Sequence, residues 1–122
     1  MNNLQNLKIW HLSFDLAKDV YAVAKTLPKE EKYQMGNQIR RCSSSIPANI
    51  AEGAGRNSDK EFLHFLAIAN GSCLELETFI LLAFEVEYID EKTKESIIDK
   101  NNQIMKMNNK LQLSIKNKLN KH

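Results

Sequence analysis

Fourteen residues near the middle of the chain read Ser45-Ile46-Pro47-Ala48-Asn49-Ile50-Ala51-Glu52-Gly53-Ala54-Gly55-Arg56-Asn57-Ser58. The run contains one proline and two glycines, whereas the segments on both sides have the apolar spacing of amphipathic helices. A proline inside a helix costs about 3 kcal/mol, because a backbone N–H is lost and the ring clashes with the preceding turn. We therefore expect either the packing of the fold or a function to compensate for Pro47, and the sequence alone leaves both explanations open.

The same run predicts where the second helix lies. We expect this helix to begin near Gly36-Asn37 and to end at Gly53 or Gly55, because glycine is common where helices stop. Pro47 is expected either to kink the helix or to begin its second half. The apolar side chains follow one helical stripe, formed by Ile39, Cys42, Ile46 and Ile50.

Polar residues mark the starts of two further helices. Ser58 and Glu61 have the spacing of a capping box, which begins a third helix predicted to run to about Tyr88. Asp90 is a suitable cap for a fourth helix that runs to about Lys118. Together with a first helix, these segments predict an all-α, antiparallel up-down four-helix bundle that forms one domain over residues 1–122.

The first helix, predicted over Asn6 to Thr26, has two apolar stripes. One stripe contains Trp10 and Tyr21, which we expect in the core, and the other contains Leu16 and Val20. Two stripes leave only about a third of the helix circumference to polar side chains, which is more apolar surface than an outer helix of a monomer needs. We therefore expect a homo-oligomer, which a charge at Leu16 or Val20 should dissociate unless it unfolds the chain.

The third helix supports the same expectation. Residues 79–84 are apolar without a break, so this helix is also expected to be buried on more than one side. Ala67 and Gly71 lie one turn apart and predict a notch where another backbone can approach closely.

Charge is distributed unevenly along the chain, although its net value is only +2. Residues 32–60 sum to +3, residues 61–91 contain seven acids and no Lys or Arg, and residues 92–122 contain eight lysines against two acids. Pairing of oppositely charged helices, within or between subunits, explains this pattern without a ligand. A nucleic-acid interface would require the basic helices to lie on one continuous surface.

Length and composition indicate a soluble protein without a cofactor. The chain of 122 residues suits one domain, and its N-terminus lacks the features of a signal peptide. No apolar run approaches the roughly 20 residues that span a bilayer. We therefore expect a cytoplasmic location, no membrane partner, and buried reduced thiols at Cys42 and Cys73.

No arrangement of residues predicts an enzyme or a metal site. Glu75 and Glu77 are two residues apart, so they point about 160° apart on a helix and cannot share a proton or a metal. His64 and Cys73 are expected on opposite sides of the third helix. No nucleophile has an adjacent base, and no glycine loop follows a strand.

Five sequence motifs spread over the second and third helices match those of a known family. They are Gln38-Ile39-Arg40-Arg41, Ser45 to Gly53, Gly55-Arg56-Asn57-Ser58, Phe62-Leu63-x-Phe65-Leu66-x-Ile68-Ala69 and Gly71-Ser72-x-x-Glu75-Leu76-Glu77-Thr78. Together they resemble the four-helix-bundle family first noted in reading frames within intervening sequences of bacterial 23S rRNA genes. The resemblance covers nearly the whole chain. One departure is the polar Cys42-Ser43-Ser44, where relatives usually have alanines or apolar residues.

This resemblance implies a small cytoplasmic homo-oligomer, in relatives a ring of five, with no established catalytic activity. The family is also similar to the accessory protein of diversity-generating retroelements, a basic pentameric barrel that binds nucleic acid and a reverse transcriptase. A pentamer and an RNA or DNA partner are therefore expectations from the resemblance. The apolar stripes independently predict an oligomer, but they do not predict its subunit number.

A polar stripe on the second helix is the first candidate site. On a regular helix its members fall within about 80° of each other. As a nucleic-acid site, Arg41 and Arg56 would contact phosphates. As a structural feature, Glu52 would pair with Arg56, Asn49 would bond to backbone freed by Pro47, and Arg41 would reach acids of the third helix. The members are Arg41, Ser45, Asn49, Glu52 and Arg56.

The lysines of the fourth helix are the second candidate site. They are either a solvated face or a weakly selective, salt-dependent contact to RNA or DNA, with Lys106 and Lys110 as the proposed ligands. The run from Ser45 to Ser58 is here called the central motif. Residues in it and just after it are expected to have a structural role; they are Pro47, Asn49, Glu52, Gly53, Ser58 and Glu61. The sequence thus predicts a non-enzymatic homo-oligomer that binds nucleic acid or a nucleic-acid-handling partner. The alternative is a protein-binding scaffold whose charges serve only self-assembly.

Overall fold

The computed structural model describes residues 7–121 and folds them into four long helices. These are α1 (Lys8–Thr26), α2 (Met35–Ala54), α3 (Asp59–Glu85) and α4 (Glu91–Asn120), with a short 3-10 turn, Lys29–Glu31, between α1 and α2. Consecutive helices pack side by side and α4 also packs against α1, so they form an antiparallel four-helix bundle. The predicted all-α bundle is confirmed. The predicted start of helix 1 at Asn6 lies outside the described residues.

The core of the bundle contains aliphatic side chains from all four helices. Each fully buried side chain of this size stabilises the fold by about 1.5–3 kcal/mol relative to an exposed one. The largest of them are Leu16, Val20, Ile39, Ile46, Ile50, Leu66, Leu76, Ile80 and Ile104.

The two apolar stripes of α1 differ in the burial of their large side chains. Leu16 and Val20 have no exposed surface, whereas Phe14 and Tyr21 on the other stripe are 46% and 44% exposed. Of the two expected effects of a charge at Leu16 or Val20, this burial favours unfolding of the chain over dissociation of an oligomer. The assignment of Tyr21 to the core is wrong. Trp10 is only partly buried. The two stripes look equivalent in the sequence, and the packing of α2 and α4 against α1 determines which one turns inward.

Helix α2 runs through Pro47 as one helix, so the proline does not begin a separate second half. Its missing N–H leaves the carbonyl of Ser43 without the usual helical donor. The serines upstream bond to their own helix: the hydroxyls of Ser43 and Ser44 donate to the carbonyl of Arg40 at 3.1 and 2.8 Å. The serine hydroxyls at the polar midpoint of α2 are thus satisfied within the helix.

Gly53 marks the closest approach of α2 to α3. A Cβ added to Gly53 would lie 2.7 Å from Phe65 Cβ, which is closer than such atoms can pack, and 3.0 Å from Phe62 Cδ1, which is a tight contact. At Gly55, two residues on, an added Cβ would meet only backbone oxygens at 3.5 and 3.7 Å. Gly53 is therefore required by packing, which explains a glycine inside the last turn of the helix.

Two buried asparagines align α4 with α3. Asn101 and Asn108 have no exposed surface, and their Nδ2 groups donate to the carbonyls of Cys73 at 2.8 Å and Leu66 at 2.9 Å. The two donors are seven residues apart, and so are the two acceptors. A buried amide needs its partner, so sliding either helix by one turn would leave both amides unpaired.

Helix α3 ends at Glu85, three residues before the predicted end at Tyr88, because the chain reverses direction there. The backbone N–H of Tyr88 bonds to the carbonyl of Ala83 at 2.8 Å, and the N–H of Glu87 bonds to that of Phe84 at 3.0 Å. This is a Schellman motif, which requires a left-handed residue after the helix. Glu87 has that conformation, with a φ of 65°.

By length and composition, α3 is the one helix of the described chain that is apolar enough to cross a membrane. A third of its apolar window is buried inside the bundle. A core helix of a bundle passes the same test, and the exposed apolar side chains of α3 include Ile68, Leu74, Leu81 and Leu82.

Replacing Gly53 with alanine should destabilise the protein by about 1–3 kcal/mol, because the new methyl group would separate α2 from α3. Urea denaturation followed by far-UV circular dichroism measures this change. Gly55→Ala is the matched control and should stay within about 0.5 kcal/mol of the wild type. Equal stability of the two variants would contradict the close approach at Gly53.

Replacing Glu87 with glycine should stabilise the protein by about 0.5–1 kcal/mol, because glycine adopts the left-handed conformation without a Cβ penalty. Glu85→Gly removes the same charge from a helical position and should lower stability, so it separates the backbone effect from the charge effect. The denaturation midpoints of both variants provide the measurement. A loss of stability in Glu87→Gly would show that the carboxylate matters more than the backbone.

Candidate interaction surfaces

The polar stripe of α2 lies along the contact with α3. Arg41 Nη2 is 2.6 Å from Glu75 Oε2, and it also donates to Gln38 Oε1 at 2.9 Å. One turn further, the hydroxyls of Ser45 and Ser72 are hydrogen bonded at 2.8 Å. Because the helices are antiparallel, a later residue on α2 contacts an earlier residue on α3. The stripe therefore joins α2 to α3 along much of their length.

Arg41 is held at the surface by a carboxylate. About half of each side chain in the Arg41–Glu75 pair is exposed. The hydrogen bond to Glu75 raises the pKa of Arg41 above its ordinary value. A phosphate that approached Arg41 would have to compete with Glu75, which already occupies part of the guanidinium.

Arg56 is engaged in the same way at the other end of the stripe. Its Nη2 is 2.6 Å from Glu52 Oε1, which is the predicted pair between residues four apart, and its Nη1 is 3.5 Å from Glu61 Oε1. The guanidinium also lies over the ring of Phe65, 5.1 Å from its centroid. Both arginines proposed as phosphate ligands thus contact carboxylates in this structure.

Ser58 caps α3 as predicted, because its hydroxyl accepts the N–H of Glu61 at 3.0 Å. The second half of the predicted capping box differs, since the Glu61 carboxylate is directed to Arg56 rather than back to Ser58. Asp90 caps α4 as predicted by accepting the N–H of Thr93 at 2.8 Å. Both helix starts are therefore stabilised by side chains visible in the sequence.

Asn49 bonds to the backbone, but to a different carbonyl from the one expected. Its Nδ2 donates to the carbonyl of Ser45 at 2.8 Å and to the Ser45 hydroxyl at 3.0 Å. The carbonyl that Pro47 deprives of a donor belongs to Ser43. An asparagine on a helix reaches back about one turn, which brings Asn49 to Ser45 and not to Ser43.

The lysines of α4 fall into two groups. Lys100 bonds to Asp19 of α1, and Lys118 lies 3.3 Å from Asp59 of α3. Lys106 and Lys110 are exposed, lie one turn apart, and contact no carboxylate within the described part of the chain. Residues 104–121 contain five lysines and no acid. We call this half of α4 the lysine face; of the lysines in it, Lys118 is paired with an acid, whereas Lys106 and Lys110 are not.

An apolar groove lies between α1 and α2, on the side of α1 that was expected to be core. We refer to it as the α1/α2 groove; its volume is about 710 Å³. Lys18 and Lys25 contribute to its lining, and Pro47 forms part of its wall. In the sequence, the signal for this groove was the apolar stripe of α1 that contains Trp10 and Tyr21. The principal apolar residues are Trp10, Phe14, Ala17 and Tyr21 of α1 with Pro47, Ala48 and Ala51 of α2.

The two cysteines are buried thiols of low reactivity. Cys42 and Cys73 are free and buried as predicted, and desolvation raises the pKa of Cys42 to about 11 and that of Cys73 to about 12. Both thiols therefore stay protonated at neutral pH and are poor nucleophiles. Among residues 7–121, no three His, Cys, Asp or Glu side chains come together in a way that could hold a metal ion.

Comparison with known proteins relates this geometry to a family. A solved protein of unknown function from the S23 ribosomal protein family of Bacteroides thetaiotaomicron is 29% identical and superposes with a TM-score of 0.80, over 84% of this chain and 96% of the other. A comparison with curated protein sequences returned no match. The family model for the 23S rRNA-intervening sequence protein matches residues 5–110, which is most of the chain. The chain therefore belongs to the 23S rRNA-intervening sequence protein family.

Proposed function

We propose that this chain is a non-enzymatic, homo-oligomeric bundle protein that binds RNA or DNA through the lysine face of α4. One observation carries the proposal: Lys106 and Lys110 are exposed one turn apart and have no acidic partner in the described chain. No acid follows them in residues 104–121. An uncompensated positive surface of this kind attracts phosphates irrespective of base sequence.

The lysine face is a better candidate than the arginines of α2. Arg41 and Arg56 each contact a carboxylate at 2.6 Å, so phosphate binding there would have to break an existing ion pair. Binding at Lys106 and Lys110 breaks no such pair. We therefore assign the main phosphate contacts to α4, with Arg41 and Arg56 in a secondary role.

Oligomerisation would strengthen such a site. A few lysines on one subunit bind phosphate weakly, but several copies in one assembly engage a single strand together and raise the apparent affinity. The names of the matching family and of the solved relative, an intervening sequence of 23S rRNA and a ribosomal protein family, are compatible with an RNA ligand.

A protein-binding scaffold is the second candidate function. Three ion pairs support it, because they join neighbouring helices within one subunit and account for part of the charge pattern without any ligand. They are Arg41–Glu75, Lys100–Asp19 and Lys118–Asp59. In this alternative, the remaining lysines maintain solubility or contact another protein.

Reversing the charge at both positions, with Lys106→Glu and Lys110→Glu, should weaken binding to a labelled single-stranded RNA. If two phosphate contacts are lost per subunit, the slope of log K against log salt should fall in magnitude by about 1.4, since each contact to a single strand contributes about 0.7. Fluorescence anisotropy titrations at several salt concentrations measure both the affinity and the slope.

The control is the double variant Lys29→Glu and Lys32→Glu, which changes net charge equally but alters exposed residues between α1 and α2. It should keep a binding slope close to that of the wild type. Equal losses in both double variants would contradict a specific role for α4. Failure of the wild type to bind RNA or duplex DNA at low salt would favour the scaffold.

A further inference from the structure

The outward side of α3 has an apolar strip that is largely exposed in the subunit. Leu74 is 56% exposed, Leu82 is 47% exposed and Leu81 is 43% exposed. On a helix these leucines share one side with two small residues. We define the α3 strip as Ala67, Gly71, Leu74, Leu81 and Leu82, all of them exposed.

Negative charge borders the α3 strip. Glu75 and Glu85 are exposed beside it, and residues 61–91 contain no Lys or Arg; Glu75 is paired with Arg41 of α2, whereas Glu85 has no ion pair in the described chain. The strip is therefore an apolar surface with an acidic border. A complementary surface would be apolar with basic residues at its edge.

The α1/α2 groove has this complementary character. Its apolar lining includes Trp10, Phe14 and Tyr21, and Lys18 and Lys25 lie exposed along it. Polar side chains contribute little else to the lining within the described chain. The same chain thus carries both an acidic apolar ridge and a basic apolar groove.

The two surfaces have similar lengths, and the α3 strip has an open notch at its middle. Trp10 to Lys25 on α1 and Ala67 to Leu82 on α3 each cover 15 residue steps, which is about 22 Å of helix. A Cβ added to Gly71 would meet nothing within 4 Å, so the middle of the strip has an open notch. Such a notch lets an aromatic side chain of a facing helix approach the α3 backbone.

We propose that the α3 strip of one copy docks into the α1/α2 groove of a second copy. This rests on the homo-oligomer of the proposed function and identifies the surfaces that form it. Because the two surfaces are different parts of the subunit, the contact is head-to-tail. Each added copy leaves one free groove and one free strip, so the assembly either closes into a ring or continues as a filament.

The acidic border favours a second copy over a lipid bilayer as the occupant of this surface. Glu75 already bonds to Arg41, and burying it with Glu85 in hydrocarbon would be costly. Lys18 or Lys25 of a second copy would instead compensate Glu85, while Glu75 keeps its pair with Arg41.

Leu74→Glu tests the proposal, because it places a charge in the α3 strip at an already exposed position. Leu113→Glu is the matched control: Leu113 is 59% exposed, but it lies on α4, outside both surfaces. We expect light scattering to give the 14.0 kDa mass of one subunit for Leu74→Glu and the wild-type oligomer mass for Leu113→Glu. Far-UV circular dichroism should show that both variants are folded.

Mixing two defective variants tests the head-to-tail geometry. Ala48→Glu should block the groove, because Ala48 is an exposed residue of its lining. Alone, Ala48→Glu and Leu74→Glu should each be monomers; mixed in equal amounts, they should form a dimer and nothing larger. The emission of Trp10, the only tryptophan of the chain, should shift to shorter wavelength as the one intact groove is filled.

Several outcomes would overturn the proposal. They are a monomeric wild type, an unchanged mass for Leu74→Glu, equal dissociation by Leu113→Glu, or no dimer in the mixture. Wild-type binding to anionic lipid vesicles that Leu74→Glu abolishes, without an oligomer in solution, would assign the strip to a membrane instead. The variants of Lys106 and Lys110 should retain the oligomer mass, so failure of RNA binding and failure of this interface are distinguishable.

Discussion

The close packing of α2 on α3 at Gly53 is the constraint on which the rest of the structure depends. With Phe62 and Phe65 seated against a residue that has no side chain, the two helices approach closely at one end. The Ser45–Ser72 and Arg41–Glu75 contacts then follow along the same interface. This position of α2 turns Pro47 and Ala48 toward α1, where they form a wall of the groove. The second half of α2 therefore contributes residues to the core, to the contact with α3 and to the groove on the outer surface.

This packing gives a structural account of much of the central motif. Ile46 and Ile50 are fully buried in the core, and Gly53 permits the approach of α3. Asn49 bonds to its own helix one turn back, and Glu52 holds Arg56. The structural explanation of the polar stripe is thereby favoured over a phosphate-binding one, because its charged members already contact each other or α3. Lys106 and Lys110 of α4 contact no carboxylate in the described chain, and they underlie the proposed contact with nucleic acid.

The helices and their starts were predictable because they depend on local interactions. Ser58 and Asp90 accept backbone N–H groups within their own first turns, so their spacing alone indicated them. The end of α3 was placed three residues too late, because the left-handed turn at Glu87 involves a residue that has no preference for it. The buried Asn101 and Asn108 were not predicted. Polar residues at inward positions of α4 were the available signal, but their acceptors are backbone carbonyls of another helix.

By itself, the sequence determined the number of helices, their approximate limits, the caps and the excess of apolar surface on α1 and α3, since each of these follows from residues within one or two turns. It did not determine which stripe of α1 is core, because Leu16 and Phe14 belong to stripes of equal apolar character. The tertiary structure decided this by packing α2 and α4 against one side of α1. It also decided which cations are compensated, because Asp19, Asp59 and Glu75 reach their partners only across helix contacts. Both features depend on contacts between residues far apart in the chain. The same contacts determine that the α1/α2 groove, the α3 strip and the lysine face lie on the surface.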